Sequence, residues 1–244
     1  MRQTEALDEH PQLLADYLDH WARETPEQTW MARRTGGGDW RYISYALAQD
    51  MCRRLGAALL EMGLGPDRPL LILSENSLEH ALLGMAAVYV GVPYAPVATA
   101  YSLVSEDHSK LRDIAATLNP GAVFADNGAA YAGAIASIAA DDRAVINVHD
   151  MVEGAVSFAS LLDHHPAGST EARAALTPET VAKYLFTSGS TGSPKAVINT
   201  NAMICASQAM VRDCYRFLTD QPPWCWIGHR GTTRRRATRS AIWC

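Results

Sequence analysis

The stretch whose residue types most clearly indicate a chemical role is "YLFTSGSTGSPKAV", residues 184–197. Its two glycines allow the backbone to turn and to approach a ligand closely. Four hydroxyl groups and exposed N–H groups offer hydrogen-bond donors, and a lysine adds a positive charge. The side chains concerned are Thr187, Ser188, Ser190, Thr191 and Lys195. The composition predicts a loop that wraps anionic oxygen atoms such as those of a phosphate, and it leaves a flexible surface loop open as the alternative.

The loop differs from a Walker A loop. A Walker A lysine is followed by a Ser or Thr that binds magnesium, whereas Lys195 is followed by Ala196, and the glycine spacing also differs. An apolar run over residues 181–186 precedes the loop and is typical of a strand. The predicted phosphate loop therefore follows the end of a strand.

The elements that must position this loop alternate between helical and strand patterns. Apolar residues recur at helical spacing from Tyr45 to Met62, and Gly63 then ends the helix. The following predicted elements are a strand at 70–73, a helix at 77–90, a strand at 92–97, a helix at 107–118, a strand at 122–125, a helix at 129–139 and a strand at 144–148. This alternation predicts an α/β fold in which helices cover both faces of a parallel sheet.

Four local patterns complete these expectations. Ser74 and Asn76 are candidate helix caps. The segments 29–34 and 40–44 around Gly36–Asp39 form a hairpin signal. Residues 164–180 are expected to be the least structured, with a helix starting at Thr177–Glu179. Met203, Met210 and Phe217 are expected to face the core after the loop.

Composition limits the class of protein. The chain has 244 residues, 48% of them hydrophobic, and a net charge of -5. Residues 1–221 contain 26 acidic and 16 basic residues, a net charge of -10, so most of the chain has no reason to seek nucleic acid or anionic lipid. The uncharged stretch 81–104 could mimic a membrane span, but Gly91, Pro93 and Pro96 favour a buried helix followed by a buried strand.

The cysteines and histidines show no spacing typical of a metal site. Cys52, Cys205, Cys214, Cys225 and Cys244 form an odd set, and the first residues lack the apolar core of a signal peptide. We therefore expect a reducing cytoplasmic location and no metal bound by the chain alone. Cys52 is expected to lie on a helix face, without the neighbouring base that a nucleophile would need.

"FTSGSTGSPKAV" resembles the phosphate-binding loop of the adenylate-forming (AMP-binding) superfamily, which includes acyl-CoA synthetases, luciferases and the adenylation domains of peptide synthetases. Residues 40–102 resemble that family's N-terminal region, with a glycine-ended helix, a strand, an Asn-containing turn and "GVPYAPV". The resemblance covers most of residues 31–217. It implies the layered parallel-sheet N-terminal part of an adenylate-forming domain.

The resemblance implies a two-step reaction. A carboxylate attacks the α-phosphorus of ATP to give an acyl adenylate and pyrophosphate, and the thiol of CoA then displaces AMP. Mg²⁺ and the loop donors would hold the leaving pyrophosphate. Carried over by position, the residues that hold the β- and γ-phosphates are Thr187, Ser188, Gly189, Ser190, Thr191, Gly192 and Lys195.

Two positions depart from the commoner form of the family. Ala196 stands where a glycine usually follows the lysine, and Asn201 stands where a histidine is common. This variant, with "SENSLEHALL" and "VPYAPVATAYSL", most resembles feruloyl-CoA synthetases and nearby aromatic or fatty acid CoA ligases. The implied partners are a small carboxylic acid, ATP and CoA.

The last residues, 222–244, differ in character from the rest. They contain three of the six tryptophans and five arginines but no acidic residue. Reading the codons one base earlier from Pro223 can give "VVLDWAPWNHTAAGNK", which resembles the continuation expected of this family. The hypothesis is a single-base frameshift near codon 223, so that 1–221 is the N-terminal part of the domain and 222–244 is an aberrant tail.

The resemblance also implies what such a chain would lack. Beyond Phe217 the family supplies the adenine and ribose pocket, an acidic residue that helps hold magnesium, a hinge, and a small C-terminal domain with a catalytic lysine. We therefore expect an incomplete domain that is inactive by itself and prone to aggregate. The alternatives are a non-catalytic pyrophosphate-binding or interaction module and, far behind it, a basic-tailed nucleic-acid binder.

Overall fold

The computed structural model describes residues 9–34, 38–187 and 194–214. The strands are β1 Thr29–Arg34, β2 Trp40–Ser44, β3 Leu70–Ile72, β4 Tyr94–Pro96, β5 Ala122–Asn127, β6 Ala144–His149, β7 Val156–Ser157, β8 Val181–Thr187 and β9 Lys195–Thr200. The helices are α1 Leu14–Glu24, α2 Tyr45–Glu61, α3 Leu78–Tyr89, α4 Ser109–Leu118, α5 Ala132–Ser137, α6 Phe158–Leu161, α7 Ala167–Ala174 and α8 Asn201–Cys214.

Seven strands form one sheet in the order β7-β6-β5-β3-β4-β8-β9. All neighbouring pairs are parallel except β8 and β9, which are antiparallel. β1 and β2 form a separate antiparallel pair. The chain places β4 on one side of β3 and then returns to place β5 on the other side, so the strand order reverses between β3 and β5.

The sheet lies between two helical layers because its strands are apolar on both faces. Leu70, Ile72 and Phe124 belong to a core cluster shared with α1, α2 and α3. Leu71 and Val123 point the opposite way, into a second cluster shared with α4 and α5. Alternation of side chains along each strand thus fills both cores from the same short segments. The predicted α/β fold with a mostly parallel sheet is confirmed.

The boundaries of the two long central helices follow from capping chemistry. The Ser44 side chain accepts a hydrogen bond from the N–H of Leu47, and that of Ser77 accepts one from His80. After these helices, Gly63 and Gly91 each adopt a φ of 75°, a left-handed conformation that favours glycine. These glycines end the helices and redirect the chain towards β3 and β4.

Most of the predicted elements are confirmed, with shifts of a few residues at their ends. The hairpin β1–β2, the strands β3 and β4 and the helices α2 to α5 lie within the predicted segments, and β5 and β6 extend one or two residues beyond theirs. The stretch 81–104 contains α3, which is almost entirely buried, followed by β4, as expected. Within the described ranges, every helix is too short or too polar to cross a bilayer.

Several local predictions were wrong. The cap of α3 is Ser77, and neither Ser74 nor Asn76 caps it. Residues 164–180 contain the helix α7, and Thr177–Thr180 forms a turn before β8 instead of starting a helix. The prediction failed because the N–H of Thr177 bonds to the Thr180 hydroxyl at 2.9 Å, which closes the turn locally.

The expected core residues of α8 face outwards. Met203 is 59% exposed and Met210 is 46% exposed, whereas Ile204, Cys205 and Ala209 supply the buried side of the helix. Phe217 lies outside the described residues. Cys52 is on α2, as predicted, and it is fully buried.

Candidate functional site

The predicted phosphate loop lies at the carboxyl edge of the sheet. β8 runs parallel to β4, with Tyr94 opposite Lys183, so Thr187 ends β8 at the same edge where β3, β4, β5 and β6 end. In open α/β sheets this edge is where ligands bind, because strand ends and the following loops converge there. The position agrees with a ligand-binding role for the loop.

Two of the predicted site residues lie directly opposite each other. Thr187 is the last residue of β8 and pairs with Lys195, the first residue of β9. β8 and β9 form a second hairpin, the β8–β9 hairpin, and both residues are exposed at the end of it that carries the loop. The other five predicted site residues, Ser188, Gly189, Ser190, Thr191 and Gly192, lie outside the described residues. The ladder therefore brings a hydroxyl and an ammonium group to the two ends of one short connection.

The two strands of the hairpin are unequal in burial. In β9 the first four residues are exposed, including Val197 and Ile198. In β8, Tyr184 and Phe186 pack on the core cluster beneath α4 and α5. Burial also lowers the pKa of the Lys183 ammonium, which lies in the middle of β8. β8 is thus fixed to the fold, and β9 is attached to the sheet through its pairing with β8.

A second polar group lies at the same edge, after β3. The Ser74 hydroxyl is 3.0 Å from Nδ1 of His80 and donates to the carbonyl of Glu75 at 2.9 Å, and Nδ1 is 3.2 Å from the same carbonyl. Burial lowers the pKa of His80, against smaller opposing effects from the Glu75 carbonyl and the Asp126 carboxylate. The imidazole is therefore neutral near pH 7.

The Asp126 carboxylate, on β5, acts electrostatically on this histidine, and Tyr131 lies close to Asp126 and Glu75. Burial raises the pKa of Asp126, and hydrogen bonds from the backbone N–H groups of Asn127 and of Asp126 itself oppose that effect. Burial also raises the pKa of Tyr131, with Asp126 and Glu75 acting in the same direction and the Glu75 amide opposing them. This cluster was not predicted, because its only signal in the sequence is the polar residues that follow two buried strands.

The base of the hairpin is joined to the rest of the fold by Asn201. This residue begins α8 directly after β9, and it is 1% exposed. Its side chain contacts both Thr180, just before β8, and Leu14, at the start of α1. Sequence reasoning noted Asn201 only as a departure from a common histidine, because its partner Leu14 is 187 residues away.

The described residues do not contain a group of three or more His, Cys, Asp or Glu side chains that could hold a metal ion. Cys52 has no catalytic setting either, because burial raises the pKa of its thiol, with a further rise from Asp19. What the described part of the site offers is hydrogen-bond donors and one positive charge at a strand edge, which suits an anionic ligand.

Comparison with known proteins gives a family match over most of the chain. The family profile described as AMP-binding enzyme matches residues 18–228. The chain is 26% identical over 208 residues to 4-coumarate–CoA ligase 2 of Oryza sativa subsp. japonica, a stretch that covers 82% of this chain and 36% of that protein. The chain thus spans about a third of the length of this relative.

The chain is also similar to peptide synthetases. The chain is 30% identical over 165 residues to FR901469 synthetase of Dothideomycetidae sp. (strain 11243), which covers 68% of this chain and 1% of that protein. The solved structure of McyG A-PCP complexed with phenylalanyl-adenylate superposes with a TM-score of 0.65 at 18% identity, covering 87% of this chain and 32% of that one. At that identity the superposition supports the fold.

Proposed function

The chain belongs to the AMP-binding enzyme family, and from that premise we propose that its hairpin loop holds the β- and γ-phosphates of ATP during adenylation of a carboxylic acid. The residues proposed to bind the phosphates are Thr187, Ser188, Gly189, Ser190, Thr191, Gly192 and Lys195. The observation that carries the proposal is the pairing of Thr187 with Lys195 at the carboxyl edge of the parallel sheet. It supports a loop whose two ends present donors to one ligand.

The proposed chemistry needs binding and charge neutralisation more than proton transfer. A carboxylate is ionised at pH 7, so it attacks without a general base. Its oxygen forms a bond to the α-phosphorus of ATP, the bond from that phosphorus to the bridging oxygen breaks, and pyrophosphate leaves with the electron pair. Lys195 and the loop donors would stabilise the negative charge that accumulates on the pyrophosphate.

Mg²⁺ and CoA enter the proposal in different ways. Mg²⁺ would arrive with the ATP phosphates and neutralise part of their charge. The described residues of this chain contain no cluster of His, Cys, Asp or Glu side chains that could bind it. CoA is proposed as the thiol that accepts the acyl group in the full reaction, by analogy with the rice ligase.

For the acid, we propose a hydroxycinnamate-like compound such as ferulate. The "SENSLEHALL" and "VPYAPVATAYSL" stretches and the similarity to a 4-coumarate–CoA ligase support an aromatic acid. The similarity to peptide synthetases supports an amino acid as the second candidate. Both candidates share the adenylation step, and they differ in the acid and in the thiol that receives it.

We further propose that the reading frame changes near codon 223 and that the present chain forms no acyl adenylate by itself. The abrupt change of composition after Gln221 supports this. Resequencing the gene from codon 215 onwards tests the frame. An alternate frame that encodes "PWNHT" and continues into a long ligase-like sequence would support the proposal, and the absence of any such frame in the verified DNA would overturn it.

The function is tested by exchange of labelled pyrophosphate into ATP, on this chain and on the frame-corrected chain. Ferulate and phenylalanine are compared as acids. We expect exchange with ferulate from the corrected chain alone. Exchange with phenylalanine would favour amino acid adenylation. Pyrophosphate binding by either chain, without label exchange in the presence of either acid, would favour a non-catalytic binding module. Absence of both pyrophosphate binding and label exchange would contradict the proposed function.

A further inference from the structure

Asn201 makes two long-range contacts with its side chain. Its Oδ1 accepts a hydrogen bond from the backbone N–H of Leu14 at 3.1 Å, and its Nδ2 donates to the carbonyl of Thr180 at 3.2 Å. The backbone N–H of Asn201 also donates to the Thr180 carbonyl, at 3.0 Å. One amide group therefore joins the first residue of α1 to the base of the β8–β9 hairpin.

The contact with Leu14 gives a hydrogen-bond acceptor to a backbone N–H in the first turn of α1. The first N–H groups of a helix have no partner within the helix, and a polar residue at the cap position usually accepts from one of them. Leu13 occupies the cap position here and has no polar side chain. Asn201 supplies the missing acceptor from the other end of the described chain, and because it is 1% exposed, water does not substitute easily.

The helix that Asn201 contacts is itself firmly anchored. Oδ1 of Asp19 accepts hydrogen bonds from the Tyr89 hydroxyl at 3.0 Å and from Nε2 of Gln49 at 2.7 Å. Arg173 of α7 bridges Asp16 and Asp19 and lies over the Tyr89 ring at 5.4 Å from its centroid. Three other helices thus fix α1, so it provides a rigid reference for whatever is attached to it.

The position of the β8–β9 hairpin depends on contacts at its base. The ladder between β8 and β9 has an irregularity between Val181 and Lys183, beside Thr180. β9 is the last strand of the sheet, and most of it is exposed. The direction in which the hairpin leaves the fold is therefore set at its base, where Asn201 binds Thr180 and the N–H of Ala202 donates to Pro178 at 2.8 Å.

We propose that Asn201 is a positioning residue for the phosphate loop: its side chain locks the base of the β8–β9 hairpin to α1 and so sets where Thr187 and Lys195 stand. The idea rests on the proposed function of the loop. An amide suits the position because it offers a donor and an acceptor on one planar group, and both are used. Loss of the donor should loosen the hairpin, and loss of the acceptor should loosen the start of α1.

The test compares three variants of the whole chain by hydrogen exchange and by titration with inorganic pyrophosphate. Asn201→Ala removes both side-chain bonds. Asn201→Asp keeps the acceptor for Leu14 but places a carboxylate against the Thr180 carbonyl. Asn199→Ala is the control, because Asn199 lies two residues earlier and, among the described residues, its side chain donates to the nearby Val197 carbonyl at 3.0 Å.

For Asn201→Ala we expect roughly fivefold faster exchange in β8, β9 and the first turn of α1, and a similar weakening of pyrophosphate affinity. Asn201→Asp should show the faster exchange in the hairpin and the weaker affinity while α1 stays protected. Asn199→Ala should match the wild type in both measurements.

Two results would overturn the proposal. One is a pattern for Asn201→Ala that equals that of the control. The other is faster exchange spread evenly over β5 and β6 with unchanged pyrophosphate affinity, which would make the residue merely structural. If the wild-type chain does not bind pyrophosphate, the proposed function fails, and the exchange pattern alone decides whether Asn201 holds the hairpin.

Discussion

The centre of the sheet and the β8–β9 hairpin are built in opposite ways. Every residue of β3 is fully buried between two helical layers, whereas the first four residues of β9 are exposed. The centre is therefore stabilised by its own apolar contacts. In the hairpin, β8 packs on the core through Tyr184 and Phe186, whereas β9 depends on its hydrogen-bond ladder with β8 and on contacts at its base. Binding loops are commonly drawn from such weakly stabilised parts of a fold.

This difference makes the hairpin the part of the chain that a ligand or a covering segment can stabilise most. Leu185, Val197 and Ile198 in the hairpin and Met203 and Met210 on α8 are exposed apolar side chains. The three predictions that follow each compare a buried position with an exposed one, from the largest expected effect to the smallest.

The largest difference is expected between two isoleucines. Ile72 is fully buried in β3, whereas Ile198 is 54% exposed in β9. Ile72→Ala should reduce the free energy of unfolding by about 2–5 kcal/mol because it leaves a cavity. Ile198→Ala should cost less than about 0.5 kcal/mol. Chemical denaturation measures both, and equal losses would mean that the hairpin is as well packed as the centre.

A smaller difference is expected between two helical glycines. A β-carbon on Gly56 in α2 would lie 2.5 Å from Cγ1 of Val90 and 3.3 Å from the Ala86 carbonyl. Gly56→Ala should therefore destabilise the α2–α3 contact by about 1–3 kcal/mol. Gly168→Ala in exposed α7 should instead stabilise the fold by about 0.5–1 kcal/mol, because no described atom outside its own helix lies within 4 Å of the added carbon. Thermal unfolding of both variants gives the signs, and a stabilising Gly56→Ala would contradict the close packing.

The smallest effect concerns the pH dependence of stability. Burial lowers the pKa of His80, so the native state binds its proton less readily than the unfolded state does. This contribution to stability is present above the unfolded pKa of about 6.5 and is lost as the pH falls below it, by at most about 1.4 kcal/mol per pH unit. The Asp126 carboxylate and the backbone groups of Glu75 and Ser74 oppose the effect of burial on the pKa of His80.

His80→Asn should flatten the stability profile between pH 7 and pH 5. His165→Asn, which changes an exposed histidine before α7, is the control and should leave the wild-type slope. Denaturation midpoints at several pH values measure the slopes. An unchanged slope in His80→Asn would show that protonation of another group governs this range.

The central α/β units were predictable from sequence because their signals are local. Helical spacing between Tyr45 and Met62, and short apolar runs such as Leu70–Ile72, depend only on neighbouring residues and on burial. The run over residues 181–186 predicted that the loop follows the end of a strand, and the structure puts Thr187 and Lys195 there. What the loop binds remains a prediction.

The failures arise from contacts between distant residues. The helix α7 was missed because part of its stability comes from Arg173, which bridges Asp16 and Asp19 on a helix about 150 residues earlier. Asn201 looked like a simple departure from a family pattern because its partner Leu14 is equally remote. Met203 and Met210 follow a helical period that predicts one apolar face, but the period does not say which face the fold covers.

The central claim is that the hairpin loop binds the phosphates through Lys195. Calorimetric titration of the chain with inorganic pyrophosphate tests it most directly, with Lys195→Ala as the variant. Lys110→Ala on α4 is the matched control, since it removes the same charge from a lysine that lies over Tyr101. We predict binding that Lys195→Ala weakens about tenfold or more, as expected for loss of a charged hydrogen bond, and that Lys110→Ala leaves unchanged. Equal affinity in all three proteins, or no binding by the wild type, would contradict the claim.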